Sequence, residues 1–155
     1  MLQYIMADKS NIEQLVKMRI DYIRADQGNI STDNENEMRH KLPSYFERHL
    51  GKDLFSFVAR NDGIIVAAAF LLIIEKPSNP HFINGRVGEV LNVYTSPEYR
   101  HQGISTRLMN ELISFSKNNN LDYIELSATN DGYPLYKKLG FTDHESQYSE
   151  MRLIC

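Results

Sequence analysis

The stretch Glu89 to Thr106, EVLNVYTSPEYRHQGIST, decides how the rest of the chain is read. Its first half is a strand-like run through Thr95, Pro97-Glu98-Tyr99 is a turn, and Arg100 to Ser105 (RHQGIS) is a basic, glycine-containing loop leading into an amphipathic pattern. Backbone N–H groups at a helix start have no intrahelical acceptor and lie at the positive end of the helix dipole, so this order makes an anion site. Gly103 lets those groups approach a phosphate with no side chain in the way, and Arg100 adds a charge-assisted contact. An exposed basic turn that only caps a helix has the same local sequence. The loop is neither a P-loop nor a dinucleotide fingerprint, because GxxxxGK[ST] and GxGxxG are both absent.

Downstream, Ile104, Leu108, Leu112 and Phe115 share one helix face, and the helix ends near Lys117-Asn118-Asn119-Asn120. Tyr123 to Ala128 reads as a strand, Pro134 to Leu139 as a short helix closed by Gly140, and Phe141 to Leu153 as one or two final strands. Upstream, Val87 to Thr95 is a strand preceded by a Pro- and Asn-rich loop, Lys76 to Arg86. Leu54 to Arg60 and Ile64 to Ile74 form an antiparallel pair around Asn61-Asp62-Gly63. At the start, Leu2 to Ala7 is a strand. A helix from Ser10 to Ala25 carries Ile12, Leu15, Val16, Arg19, Ile20 and Ile23 at helical spacing, Arg19 being the one polar interruption. Capping-box patterns at Ser10/Glu13 and Thr32/Glu35 open the first and second helices, and Pro43 predicts a kink or a split in the second. The fold class is α/β: a single domain over residues 1–155, with a mixed central sheet flanked by helices in the order β-α-α-β-β-β-α-β-α-β.

At 155 residues and 42% hydrophobic, the chain fits one core better than two. A formal charge of -3 gives no long-range attraction to nucleic acid or to an anionic membrane, so neither is an expected partner. The single cysteine, Cys155, rules out an internal disulfide and a cysteine-rich zinc site. The five histidines lack ligand spacing, and no metal is expected. No secretory signal pattern opens the chain, and its longest apolar run, Ile64 to Ile74, is too short to span a bilayer as a helix; the expected location is cytoplasmic.

A second constellation, SATNDGYPLYKKLGF (Ser127 to Phe141), places Tyr136 four residues before Gly140 on a short helix after a strand. Together the two segments resemble the GNAT superfamily of N-acyltransferases. Arg100-x-x-Gly103-x-Ser105 resembles its acyl-CoA signature, R/Q-x-x-G-x-G/A, and Tyr136 followed by Gly140-Phe141 resembles its closing motif. The order of elements is similar along essentially the whole chain. One departure is Ser105, where the signature has glycine or alanine.

The resemblance implies an acetyl-CoA-dependent enzyme acting on a small-molecule or peptide amine, with homodimers through the C-terminal strands common in the fold. It implies that Val93, Tyr94 and Thr95 pair with the pantetheine amides. Arg100, His101, Gln102, Gly103, Ile104, Ser105 and Thr106 would cradle the pyrophosphate. Asn130 would contact the pantetheine, and Tyr136 would stand near the thioester sulfur as general acid, supplying the leaving thiolate with a proton or a strong hydrogen bond. Glu89 occupies the position where histone-acetylating members carry their general-base glutamate. The acceptor would be bounded by the first two helices and final strands, including Tyr22, Arg24, Asp33-Glu35-Glu37 and Tyr148. In a regular strand Glu89 and Asn92 point to opposite faces, so both serve one site only if a bulge intervenes. No GxSxG nucleophile motif is present, so direct transfer is simpler than a covalent enzyme intermediate. A non-catalytic acyl-CoA-binding module is the alternative, in which Glu89 and Tyr136 serve packing.

Overall fold

The apolar run after Gly63 becomes the centre of the sheet in a computed structural model that describes residues 1–155. The strands are β1 (Leu2–Met6), β2 (Leu54–Asn61), β3 (Ile64–Glu75), β4 (Arg86–Thr95) and β5 (Tyr123–Glu125), and the helices are α1 (Ile12–Gln27), α2 (Thr32–His49), α3 (Ile104–Asn118) and α4 (Tyr133–Lys138). Strand order is β1-β2-β3-β4-β5; the first three pairings are antiparallel and β4–β5 is parallel. Because both faces of β3 are covered, its side chains from Ile65 to Leu71 are almost all buried, which explains a continuous apolar run in place of an alternating one. The β2–β3 turn takes left-handed conformations at Asp62 (φ 50) and Gly63 (φ 79), as an Asp-Gly hairpin requires.

Two cores lie on the two faces. Leu15, Val16, Met18 and Ile20 of α1 and Phe46 of α2 pack on Val58, Ala68 and Phe70; Ile104, Leu108, Met109 and Leu112 of α3 pack on Phe57, Ala67, Leu71 and Val90. The small side chains of Ala67, Ala68 and Ala69 let helices approach both sides of the central strand closely. No helix is long and apolar enough to cross a membrane.

The parallel pairing of β4 with β5 is brief. It runs through Val87–Tyr123, Gly88–Ile124 and Glu89–Glu125 and then stops, while β4 continues to Thr95. From Val90 onward β4 therefore has no strand neighbour on that side, and the sheet opens into a cleft. Gly88 is the tightest point of the closed part: a Cβ there would lie 2.7 Å from Leu71 Cδ1 and 2.8 Å from Ile124 Cγ2.

Four expectations change. The first helix is capped earlier: Asp8 accepts from Ser10 N–H and Asn11 returns to the Asp8 N–H, opening a 3-10 turn, Lys9–Asn11, that runs into α1. The second cap is Ser31, whose Oγ accepts from Asn34 N–H at 3.1 Å. α2 is not split at Pro43, because the proline is exposed and the Arg39 carbonyl it leaves free faces the solvated side. Finally, the sheet ends at β5, and no strand forms between Phe141 and Leu153. The three-residue β5 is a short edge on which to register a strand, and the apolar residues Tyr148, Met151, Leu153 and Ile154 stay exposed among polar ones.

Gly88→Ala is expected to overpack this junction and lower stability by about 1–3 kcal/mol, read as a drop in the urea midpoint at unchanged m-value; a wild-type midpoint would show that Leu71 and Ile124 yield freely.

Candidate active site

The cleft is shaped by one irregular residue. On β4, Leu91 pairs with Phe70 and Tyr94 with Ala68, so Asn92 and Val93 together oppose Ala69, and Asn92 has φ 55. This is a β-bulge with its extra residue in the left-handed region. It restores alternation after an inserted step: Val90 and Val93 pack on the α3 side, Leu91 and Tyr94 on the α1–α2 side. Asn92, only 2% exposed, is turned toward α1, where Arg19 Nη1 donates to its Oδ1 at a long 3.4 Å. Glu89 lies opposite Leu72, which packs on the α1–α2 core, and its charge acts on Tyr45 of α2. Glu89 and Asn92 thus share a face, as the bulge condition demanded.

Burial pushes the Tyr136 phenol up to about 12, with Tyr22 adding to the effect. Tyr136 packs with the α3-side core, whereas Tyr22 stands on α1 across the sheet. The two feel each other across the gap where β4 and β5 have parted. Burial also raises Tyr22, with Asp26 adding and Arg19 opposing. It raises Tyr45, with Asp53 and Glu89 adding and Arg19 opposing. Gly132 sets the Tyr136 ring: a Cβ there would fall 2.9 Å from its Cε2, so only glycine lets the ring lie so close. The start of α4 is held by Thr129, whose Oγ1 accepts from Gly132 N–H at 3.1 Å; Asn130, exposed, makes no such cap.

At the far end of β4 lies the loop expected to cradle an anion. His101 (φ 61) and Gly103 (φ 77) are both left-handed, and the backbone N–H groups from His101 to Thr106 find no acceptor in the protein. Such a run of free donors at a helix start is a preformed concave anion site. Gly103 is dictated by its backbone angle rather than by crowding, since nothing lies within 4 Å of where a Cβ would be. Arg100 Nε donates to the Thr95 carbonyl at 2.9 Å, and its guanidinium stands 5.5 Å from the Tyr94 ring centroid, tying the loop to the end of β4. Ser105 is tied likewise, 2.9 Å from Thr95 Oγ1. The departure from glycine or alanine at Ser105 is thus accommodated by an added hydrogen bond.

Beyond the bulge, a cavity of about 570 Å³ lies between α1 and α2, lined among others by Arg19, Ile23, Asn34, Met38 and Lys41. Of the acidic cluster expected to border an acceptor, Glu35 is paired with Arg24 and Arg39, and Glu37 lines this cavity. Tyr148 stands exposed in the tail. Arg19, Tyr22 and Tyr45 take their places in this centre only through packing of α1 and α2. In the sequence Arg19 is only the one charge on an apolar helical stripe, Tyr22 is expected only as a border of the acceptor, and Tyr45 gives no signal.

Residues 17–141 match the Acetyltransferase (GNAT) family. The chain belongs to that family. A predicted acetyltransferase from Clostridium acetobutylicum, solved with acetyl-CoA, is 30% identical and superposes with a TM-score of 0.85 over 98% of this chain and 96% of that one. A GCN5-related N-acetyltransferase from Ralstonia eutropha has a TM-score of 0.76 at 21% identity, over 97% and 99%, a likeness of fold. A glucosamine 6-phosphate N-acetyltransferase of Trypanosoma brucei brucei is 32% identical over 93 residues, 59% of this chain and 60% of that protein, so the match spans under two thirds of its length. The GNAT fold thus supplies the cleft, and the donors from His101 to Thr106 fit the pyrophosphate of a CoA thioester.

Gly103→Val should remove acetyl-CoA binding measured by calorimetry, while the left-handed strain costs only about 1–2 kcal/mol of stability; an unaltered affinity would reject this loop as the anion site.

Proposed function

We propose that this protein transfers an acetyl group from acetyl-CoA directly to an amine. The observation that carries the reading is the row of free N–H donors from His101 to Thr106, set at the end of a strand whose outer edge is open from Val90 onward. A bound CoA thioester supplies an activated acyl carbonyl, and every further requirement falls on the chain. The loop residues His101, Gln102, Gly103, Ile104, Ser105 and Thr106 hold the pyrophosphate through backbone donors, with Arg100 bracing them. The open edge at Val93, Tyr94 and Thr95 takes the pantetheine amides as a further strand would be taken. Asn130, exposed beside the start of α4, is the remaining pantetheine contact.

An alkyl ammonium of pKa near ~10.4 must lose a proton before it attacks, which at pH 7 costs about 4.6 kcal/mol. Glu89, on the face shared with Asn92 and Arg19, takes that proton directly or through water. The raised pKa of Tyr136 narrows its role. With its phenol at about 12, against about 8.5 for a free thiol, complete proton transfer to the departing thiolate is uphill by about 5 kcal/mol. Of the two roles open to Tyr136, this favours a hydrogen bond donated to the sulfur where charge builds. An amine acceptor agrees with the trypanosomal relative, a glucosamine 6-phosphate N-acetyltransferase.

The deciding experiment is CoA release from acetyl-CoA across a panel of amines. Release dependent on an amine supports the transferase, and tight acetyl-CoA binding with no release would make the chain a binding module. Tyr136→Phe should lower kcat by about 10- to 100-fold with acetyl-CoA affinity kept. Because its phenol is raised, wild-type activity should show no alkaline loss from this group below about pH 11. Glu89→Gln should cut kcat most at low pH, where the free amine is scarcest; an unchanged profile would take Glu89 out of the chemistry.

A further inference from the structure

Arg19 is a half-buried guanidinium that forms no ion pair with any carboxylate of the protein. Its polar contact is the neutral Asn92 Oδ1, and its other neighbour is the Tyr22 ring, 5.9 Å from its carbon to the centroid. Withdrawing a guanidinium from water without an anionic partner is costly, and chains tolerate it where a ligand supplies the partner. Beside it, the Asn92 amide is held through its oxygen, and its buried Nδ2 has no acceptor at all. A guanidinium with no anionic partner and an amide nitrogen with no acceptor therefore lie together at the bulge, and Arg19 also lines the cavity between α1 and α2.

The charge around that cavity sharpens the point. Its other ionic residues, Glu37 and Lys41, stand four apart on α2 and offset each other. Glu35, nearby on the same helix, is already engaged by Arg24 and Arg39. Among the residues that line the cavity the net charge is that of Arg19, while Glu89, on the face shared with Asn92, is the carboxylate that takes the proton of the amine. Arg19 stands next to Asn92, the residue that bends β4.

We infer that the acceptor is a small amine carrying an acidic group, a carboxylate or a phosphate, which pairs with Arg19 while Asn92 Nδ2 donates to an adjacent oxygen. This rests on the transferase reading above. Arg19 is then a specificity-determining residue. Its planar fork suits a two-oxygen anion better than an ammonium does.

The test uses the full chain with matched pairs: O-phosphoethanolamine with ethanolamine, glucosamine 6-phosphate with glucosamine, and an α-amino acid with its amide. Calorimetry with acetyl-CoA comes first, because failure there rejects the transferase reading and not the acceptor class. Binding of each amine to the protein–CoA complex and CoA release from acetyl-CoA are then measured for wild type, Arg19→Gln and Arg19→Lys. In wild type the acid-bearing member of at least one pair should bind the complex and react with kcat/KM about ten-fold or more above its neutral twin. Arg19→Gln should collapse that ratio toward one through KM, Arg19→Lys should recover part of it, and both should keep acetyl-CoA affinity. The inference is overturned if no acid-bearing amine binds the complex more tightly than its twin. It is equally overturned if Arg19→Gln weakens both members of a pair alike, which is what a brace for the bulge alone would do.

Discussion

Asn92 takes a left-handed backbone angle in the middle of an otherwise extended strand, and the site depends on what that does to β4. Two residues against one on the partner strand bend and twist the bulged strand. Here the bend comes just beyond Glu89, the last residue of β4 to pair with β5. Closing the two strands further would bury the backbone groups from Val90 to Thr95 in a continuous sheet. Leaving them apart exposes an edge, and exposed edges take an added strand or a strand-like ligand. The bulge also places Asn92 on the side of Glu89, so that a carboxylate, an amide and the Arg19 guanidinium gather on one face.

The cost of this opening is offset at the closed end. Gly88 lies where β3, β4 and β5 pack most tightly, with Leu71 and Ile124 both inside the distance that a Cβ would need. The α3 core, with Leu108, Met109 and Leu112 fully buried, clamps the same strands from one side. A rigid closed end and a parted open end are what let Tyr136, packed with one core, stand near Tyr22 on the helix of the other. A half-buried phenol between two layers is kept protonated by that burial, which suits a hydrogen-bond donor more than a proton source.

The loop from Arg100 to Thr106 and the bulge are separate devices at two points of one strand. Arg100 and Ser105 both bond to Thr95, so the loop is anchored by side chains while its backbone donors stay free. That separation explains why the loop reads clearly from sequence. A glycine at a required positive φ, a basic residue three before it and an amphipathic helix after it are all local features, and the order of strands and helices follows from periodicity and turn residues.

The acceptor side is different in kind. Arg19 appeared only as a polar break in the apolar stripe of α1, Tyr22 as a bordering residue and Tyr45 not at all, because each enters the centre through α1 and α2 packing across the sheet. Phe141 to Leu153 reads as strand by composition, yet the sheet ends at β5, since strand formation needs an edge long enough to pair with. By itself the sequence determined the family, the order of elements through α4 and the glycine-bearing loop that opens α3, all carried by residues close together in the chain. Only the tertiary structure decided that Asn92 bulges, that β4 and β5 part after Glu89, and that an unpaired arginine faces the opening. Each of those turns on which distant residues share a face and which donors are left without partners, and neither is written in local spacing.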